Sequence, residues 1–294
     1  MPRMTQHDFD PEVLKLFDQY VHGGIDRRGF LSQAGRYAVG GATAASLLAA
    51  LSPSFAAPVV AALDPRIKAS HVEYPSPEGY GTLRGYLVQP ATAKGKLPAV
   101  LVVHENRGLN PHIEDIARRL ALDGFIAFAP DALFPLGGYP GDEEKARALF
   151  GKLDAAKTRA DFVAAAAVLK NIPGGNGKLG VVGFCWGGAI ANYLPTVVKG
   201  IDASVPFYGA APPAAEVGKI KKPLLIHDAE KDERIMAGWP AYEAALKASK
   251  VDYQHFVYPG AQHGFNNDTT PRYDQAAAKL AWQRTVEFFR KHLS

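Results

Sequence analysis

Gly183-Phe184-Cys185-Trp186-Gly187-Gly188 is the stretch of this sequence that points most directly to chemistry. An apolar run leads into it and a helical pattern leaves it, so the cysteine stands at a strand-to-helix turn. Gly-x-nucleophile-x-Gly is the elbow in which a strained turn exposes a nucleophile, because side chains at the glycine positions would collide with neighbouring backbone. Here cysteine occupies the position more often held by serine. A helix N-terminus beneath the thiol favours negative charge, and so favours both a thiolate and an oxyanion. A buried core position is the commoner fate of a single cysteine; the flanking glycines argue for function instead.

An elbow nucleophile needs a base, and the base an orienting acid, in the chain order nucleophile, acid, histidine. His263, in Pro259-Gly260-Ala261-Gln262-His263-Gly264-Phe265, follows the last apolar run, where loops at strand C-termini assemble active sites. His71 and His255 fall within strands, His292 in the terminal helix, and His7 and His22 in the N-terminal segment. His104 and His112 precede the cysteine, and His227 sits at a strand end where packing would hold it. The acid comes from the loop His227-Asp228-Ala229-Glu230-Lys231-Asp232, with Asp232 preferred and Asp228 second. Backbone N–H groups of Asn106 and Trp186 are the expected oxyanion donors, one after an early strand and one after the nucleophile. Glu105, in His104-Glu105-Asn106-Arg107-Gly108-Leu109, is a carboxylate at the mouth of a buried strand, with an ion pair to Arg107, Arg118 or Arg119 as its structural alternative.

These loops require a scaffold of alternating strands and helices. Short apolar runs at 71–74, 83–89, 99–104, 125–129, 179–184, 203–208, 223–227 and 253–258 read as strands. Helical spacing occupies 113–123, 142–169, 187–198, 240–249 and 275–292. The fold class is α/β: about eight mostly parallel strands with helices on both faces. Phe134, Tyr139 and Trp186 are candidate pocket aromatics.

Composition narrows the function. A single cysteine among 294 residues excludes internal disulfides and multi-cysteine metal clusters, and no metal is expected. With 33 basic and 29 acidic side chains the net charge is only +4, without the basic footprint of a nucleic-acid binder.

Residues 1–57 read as a separate unit. Asp26-Arg27-Arg28-Gly29-Phe30-Leu31, an Ala/Gly-rich stretch over 37–51 and Ser52-Pro53-Ser54-Phe55-Ala56-Ala57 have the order of an export leader. The arginine pair resembles the twin-arginine signal of bacterial export. The expectation is cleavage near Ala56 or Ala57, recognition by the twin-arginine machinery, and a periplasmic or secreted protein without a membrane span. The alternatives are an amphipathic N-terminal helix beginning near Pro11 and a cytoplasmic location. Residues 58–294 are then one domain.

Together, the stretch from His104 to Leu109, the Cys185 elbow, Asp232, His263-Gly264-Phe265 and Ala129-Pro130-Asp131 resemble the dienelactone hydrolase family over roughly residues 70–290. That resemblance implies an α/β-hydrolase fold and a triad of Cys185, His263 and Asp232. It implies hydrolysis of enol-lactones such as dienelactone (carboxymethylenebutenolidase activity) without metal or organic cofactor, on a small ester or lactone substrate. The carboxylate matching Glu105 holds the resting thiol in the family. The family's substrate arginine after His-x-Phe is replaced by Asn266-Asn267-Asp268, which removes a bidentate carboxylate clamp. Arg107, Arg147 and Phe265 are the remaining candidate substrate contacts. A general carboxylesterase or thioesterase on the same triad, or an exported non-catalytic binder, are the competing functions.

Overall fold

The computed structural model describes residues 4–55 and 57–294, so the expected cleavage position at Ala56 lies outside the described residues. One eight-stranded sheet runs through the molecule: β1 (Ile67–Ser76), β2 (Gly81–Pro90), β3 (Leu97–Val103), β4 (Ile126–Pro130), β5 (Gly175–Phe184), β6 (Ala203–Phe207), β7 (Leu224–Ala229) and β8 (Tyr253–Tyr258). Its order is β1-β2-β4-β3-β5-β6-β7-β8, with β1–β2 and β2–β4 antiparallel and the rest parallel.

The unbroken apolar run of β3 follows from burial on both faces. Val100 and Val102 enter one core with α4 (Pro111–Leu122) and α11 (Gln275–Leu293). Ala99, Leu101 and Val103 enter the opposite core with α6 (Ala155–Lys170) and α7 (Trp186–Val197). Alternation is present in the strand, but neither face is left polar.

The Ala-rich stretch expected as one helix over 142–169 is two. α5 (Glu143–Phe150) ends at Gly151, and Asp154 starts α6 anew by accepting from the backbone N–H groups of Ala156 and Lys157. The remaining short elements are α8 (Ala214–Val217), α9 (Glu233–Met236), capped by Asp232, and α10 (Trp239–Ala248).

The N-terminal segment folds into α1 (Pro11–Val21), α2 (Arg27–Ala34) and α3 (Ala44–Leu51) around its own small core, which includes Val13, Phe17, Tyr20, Phe30 and Leu51. Asp10 and Asp26 cap the first two helices, and Gly23 takes a positive φ of 81° in the turn between them. Among the described residues, no helix is long and apolar enough to cross a membrane. The C-terminal ends of β3, β5, β6, β7 and β8 share one edge of the sheet, and the end of α1 packs there.

Candidate active site

Close backbone packing builds the elbow. A Cβ on Gly183 would lie 1.9 Å from the Gly187 carbonyl oxygen, and one on Gly187 2.3 Å from that of Val103. Only glycine lets β5 turn into α7 at this distance from β3. Cys185 between them carries φ 56° and ψ −112°, a conformation strained for any side chain, and its N–H donates to Phe207 O. Trp186 opens α7, so its N–H is one of the first-turn donors that no intrahelical carbonyl accepts.

His263 and Asp232 meet below the thiol. His263 Nδ1 lies 2.5 Å from Asp232 Oδ2, and both groups are buried. Asp228, the second choice for the acid, instead contacts His255 at 2.9 Å on the adjacent strand. Burial alone would lower the pKa of His263, but the thiol's charge and Asp232 raise it to about 10. Burial likewise pushes the Cys185 thiol up, and the charge of His263 with the hydrogen bond from His22 brings it down to about 6. The pair therefore favours thiolate and imidazolium. His263 Nε2 is buried without a hydrogen-bond partner among the described residues.

The residue nearest the thiol comes from the segment read as a leader. His22 Nε2 is 3.3 Å from Cys185 Sγ, and the His22 ring lies edge-on to His263 with centroids 4.6 Å apart. Its Nδ1 donates to the Asp18 carbonyl at 2.8 Å and lies 3.2 Å from the Asp18 carboxylate. α1 is seated by three contacts from the larger domain. Asn106 Nδ2 donates to Val21 O at 2.9 Å, Arg147 Nη1 donates to Tyr20 O at 2.6 Å, and Arg272 faces Asp18 at 3.5 Å. Nothing in the local pattern around His22 pairs it with residue 185; the one available signal was a histidine–glycine pair ending an amphipathic helix.

The other expected residues divide. Glu105 lines the cleft and accepts from Asn267 Nδ2 at 3.1 Å, while Arg118 and Arg119 bind Asp115 instead. Arg107 is buried against Glu143 at 3.6 Å and donates to Asn106 Oδ1. Arg147 reaches the site edge but is engaged by α1, stacking on Tyr20 as well as binding its carbonyl. Phe265 is corrected: it is fully buried among Phe207, Tyr208 and Tyr258, so it is a core residue and not a substrate contact. Phe134 packs with the core beneath Arg84, whereas Tyr139 and Trp186 line clefts. Arg272, which the sequence reading passed over, approaches the Gly264 backbone and supplies a guanidinium near His263.

Two clefts adjoin the thiol, one of about 370 Å³ and one of about 620 Å³. Cys185, His22, Val21 and Asn106 line both, so the end of α1 divides the space. The first holds Glu105, Arg107, Tyr139 and Arg272; the second is more apolar, with Phe150, Trp186, Ala189 and Ala210. Nitrogen atoms of His22 and His263 and the sulfur of Cys185 lie within 4.8 Å of one another.

Comparison with known proteins places this geometry. Residues 83–293 match the model of the dienelactone hydrolase family, and residues 1–39 match a second model, described as YqhI-like. The Escherichia coli hydrolase fragment YghX, a provisional name, is 56% identical over 113 residues, covering 38% of this chain and 97% of the fragment. A provisionally named carboxymethylenebutenolidase of Synechocystis is 33% identical over 229 residues, covering 72% of this chain and 92% of its own. The crystal structure of a provisionally named dienelactone hydrolase from Klebsiella pneumoniae superposes with a TM-score of 0.67 at 30% identity, covering 76% of this chain and 99% of that one. On these matches, and with an eight-stranded, mostly parallel sheet of α/β-hydrolase type, the chain belongs to the dienelactone hydrolase family and is a hydrolase.

Proposed function

We propose that this hydrolase cleaves a carboxylic ester or lactone through a covalent thioester on Cys185. The observation that carries the reading is the strained elbow thiol facing the buried His263–Asp232 pair, whose Nδ1 to carboxylate distance is 2.5 Å. The Cys185 thiolate adds to the carbonyl carbon, and the Trp186 and Asn106 amides receive the developing oxyanion. Asp232 fixes the tautomer of His263. Once the thioester forms, the thiolate charge that raises the pKa of His263 is gone. Collapse of the adduct breaks the carbon–oxygen bond, and the departing oxygen takes up a proton. His263, relieved of the thiolate charge, gives up its own. The neutral imidazole then takes a proton from water, whose hydroxide releases the acid and regenerates the thiolate.

The relatives' name supports a lactone as substrate, and the polar cleft beside Arg272 suits an acyl part bearing a carboxylate. Turnover of dienelactone, p-nitrophenyl acetate and an acyl thioester by the purified chain ranks lactonase against esterase and thioesterase. Cys185→Ala should lose at least about 1,000-fold in kcat with every substrate accepted. Undiminished turnover by that variant would overturn the nucleophile, and failure of iodoacetamide to label Cys185 would favour a binding protein.

A further inference from the structure

We propose that Asp18 and His22 form a second catalytic acid–base pair at Cys185, supplied by the N-terminal segment, which holds the thiol's proton and delivers it to the departing oxygen. The inference rests on Cys185 being the nucleophile.

Three observations carry it. His22 Nε2 lies 3.3 Å from Sγ, within hydrogen-bond distance of the same thiol that His263 acts on, so two imidazoles address one sulfur. His22 is also built like the first pair: Nδ1 is tied to Asp18, which fixes the tautomer and turns Nε2 toward sulfur. A histidine needed only for packing would gain nothing from presenting that nitrogen. Finally, the larger domain holds α1 at this depth through Asn106, Arg147 and Arg272, the last acting on Asp18 itself.

The groups around His22 set its working range. Asp18 on its own helix and Cys185 on the elbow favour its protonated form, against burial and the charge of His263. Arg234 of α9 lies 3.2 Å from His22 Nε2, adds a positive charge, and contacts His263 Nδ1 at 3.5 Å, near Asp232. Arg272 faces Asp18 from the loop before α11. Asp18 and, after it, the thiolate are thus the groups that hold His22 protonated.

The proton balance is closed. The S–H proton passes to His22 Nε2, leaving a thiolate and an imidazolium. The thiolate forms the carbon–sulfur bond, the carbonyl π pair moves to oxygen, and on collapse the carbon–oxygen bond to the leaving group breaks. His22 gives its proton to that oxygen and returns to neutrality. With the thiolate charge gone, His263 releases its own proton to solvent and as neutral imidazole serves the water step.

The test uses the full chain with His22→Ala and the size-matched His22→Gln, and the positioning variant Asp18→Asn. Two readouts separate catalysis from a structural role: acylation rates for an alkyl ester and a p-nitrophenyl ester, and the pH midpoint of iodoacetamide labelling at Cys185. p-Nitrophenolate leaves without needing a proton, so both His22 variants should lose about 10- to 100-fold more rate on the alkyl ester than on the nitrophenyl ester. The labelling midpoint should also rise by about one pH unit or more. Equal losses on the two esters together with an unmoved midpoint overturn the proposal. If Cys185→Ala retains turnover, the nucleophile itself is wrong; if that variant is dead while both His22 variants match the unaltered chain, only this inference falls.

Discussion

Charge, more than distance, governs what the thiol does. Burial opposes ionisation of Cys185, and the imidazoles of His263 and His22 outweigh it, holding the thiol down at about 6, below the ordinary cysteine range. Thiolate is the reactive form, so iodoacetamide labelling should rise with pH to half its maximum near 6 and level off by about pH 7.5. Rates followed by mass spectrometry that rise only above pH 8 would show that the imidazoles do not ionise the thiol. The elbow was legible in the sequence because its glycines are obligatory: a Cβ on Gly183 or Gly187 would come within 2.5 Å of backbone of the elbow or of β3. The choice between Asp232 and Asp228 was not open to spacing, since it depends on His255 reaching across from β8 to occupy Asp228. His22 was illegible for a similar reason: it reaches the thiol only through the packing of a segment remote in sequence, and no local pattern encodes such a meeting.

Strands and helices matter here through the loops they hold. The loop carrying His263 is tied to α4 by Asp268, whose carboxylate lies 3.2 Å from His112 Nδ1 and 2.5 Å from Arg119 Nη2. Burial alone would raise the pKa of Asp268, but His112 and Arg119 hold it down at about 2. A depressed folded-state pKa means stability that is fully present above the unfolded value of about 3.9 and lost as pH falls through about 2. Asp268→Asn should therefore cost about 2 kcal/mol at pH 7, and the gap from the unaltered chain should close between about pH 4 and pH 2. Urea melts at several pH values would show it; a gap independent of pH would assign the loss to packing instead. The sheet and most helices were readable from apolar periodicity, because burial on both faces leaves long apolar runs. The break between α5 and α6 was missed because a single glycine and one capping aspartate interrupt a stretch that is otherwise uniformly helix-forming.

Among the described residues the apolar clusters fall into two unequal groups: those packed against the sheet, and a small one confined to residues 9–51. The segment meets the larger domain near the site largely through polar and cation–π contacts, including Arg272 over Phe17 and Arg27 on Glu144. Local opening is cheapest where few apolar groups are buried. Amides of α1–α3 should exchange with deuterium at least about tenfold faster than those of β3 and β5, read by mass spectrometry of peptides. Equal protection would mean that the two cores open as one. The sequence pattern set residues 1–57 apart as an export leader, and composition alone could not tell that part of this segment folds against the site. The contact between His22 and Cys185 also has a meaning in time. His22 leaves the ribosome early, while the partner loop at 263 is made among the last, roughly 10 to 50 s later at ordinary rates of synthesis. The thiol itself waits for His263 only from residue 185 onward, roughly 4 to 16 s at those rates, and a stalled or shortened chain carries its nucleophile without the base of the water step, so complete turnover arrives only with the finished protein.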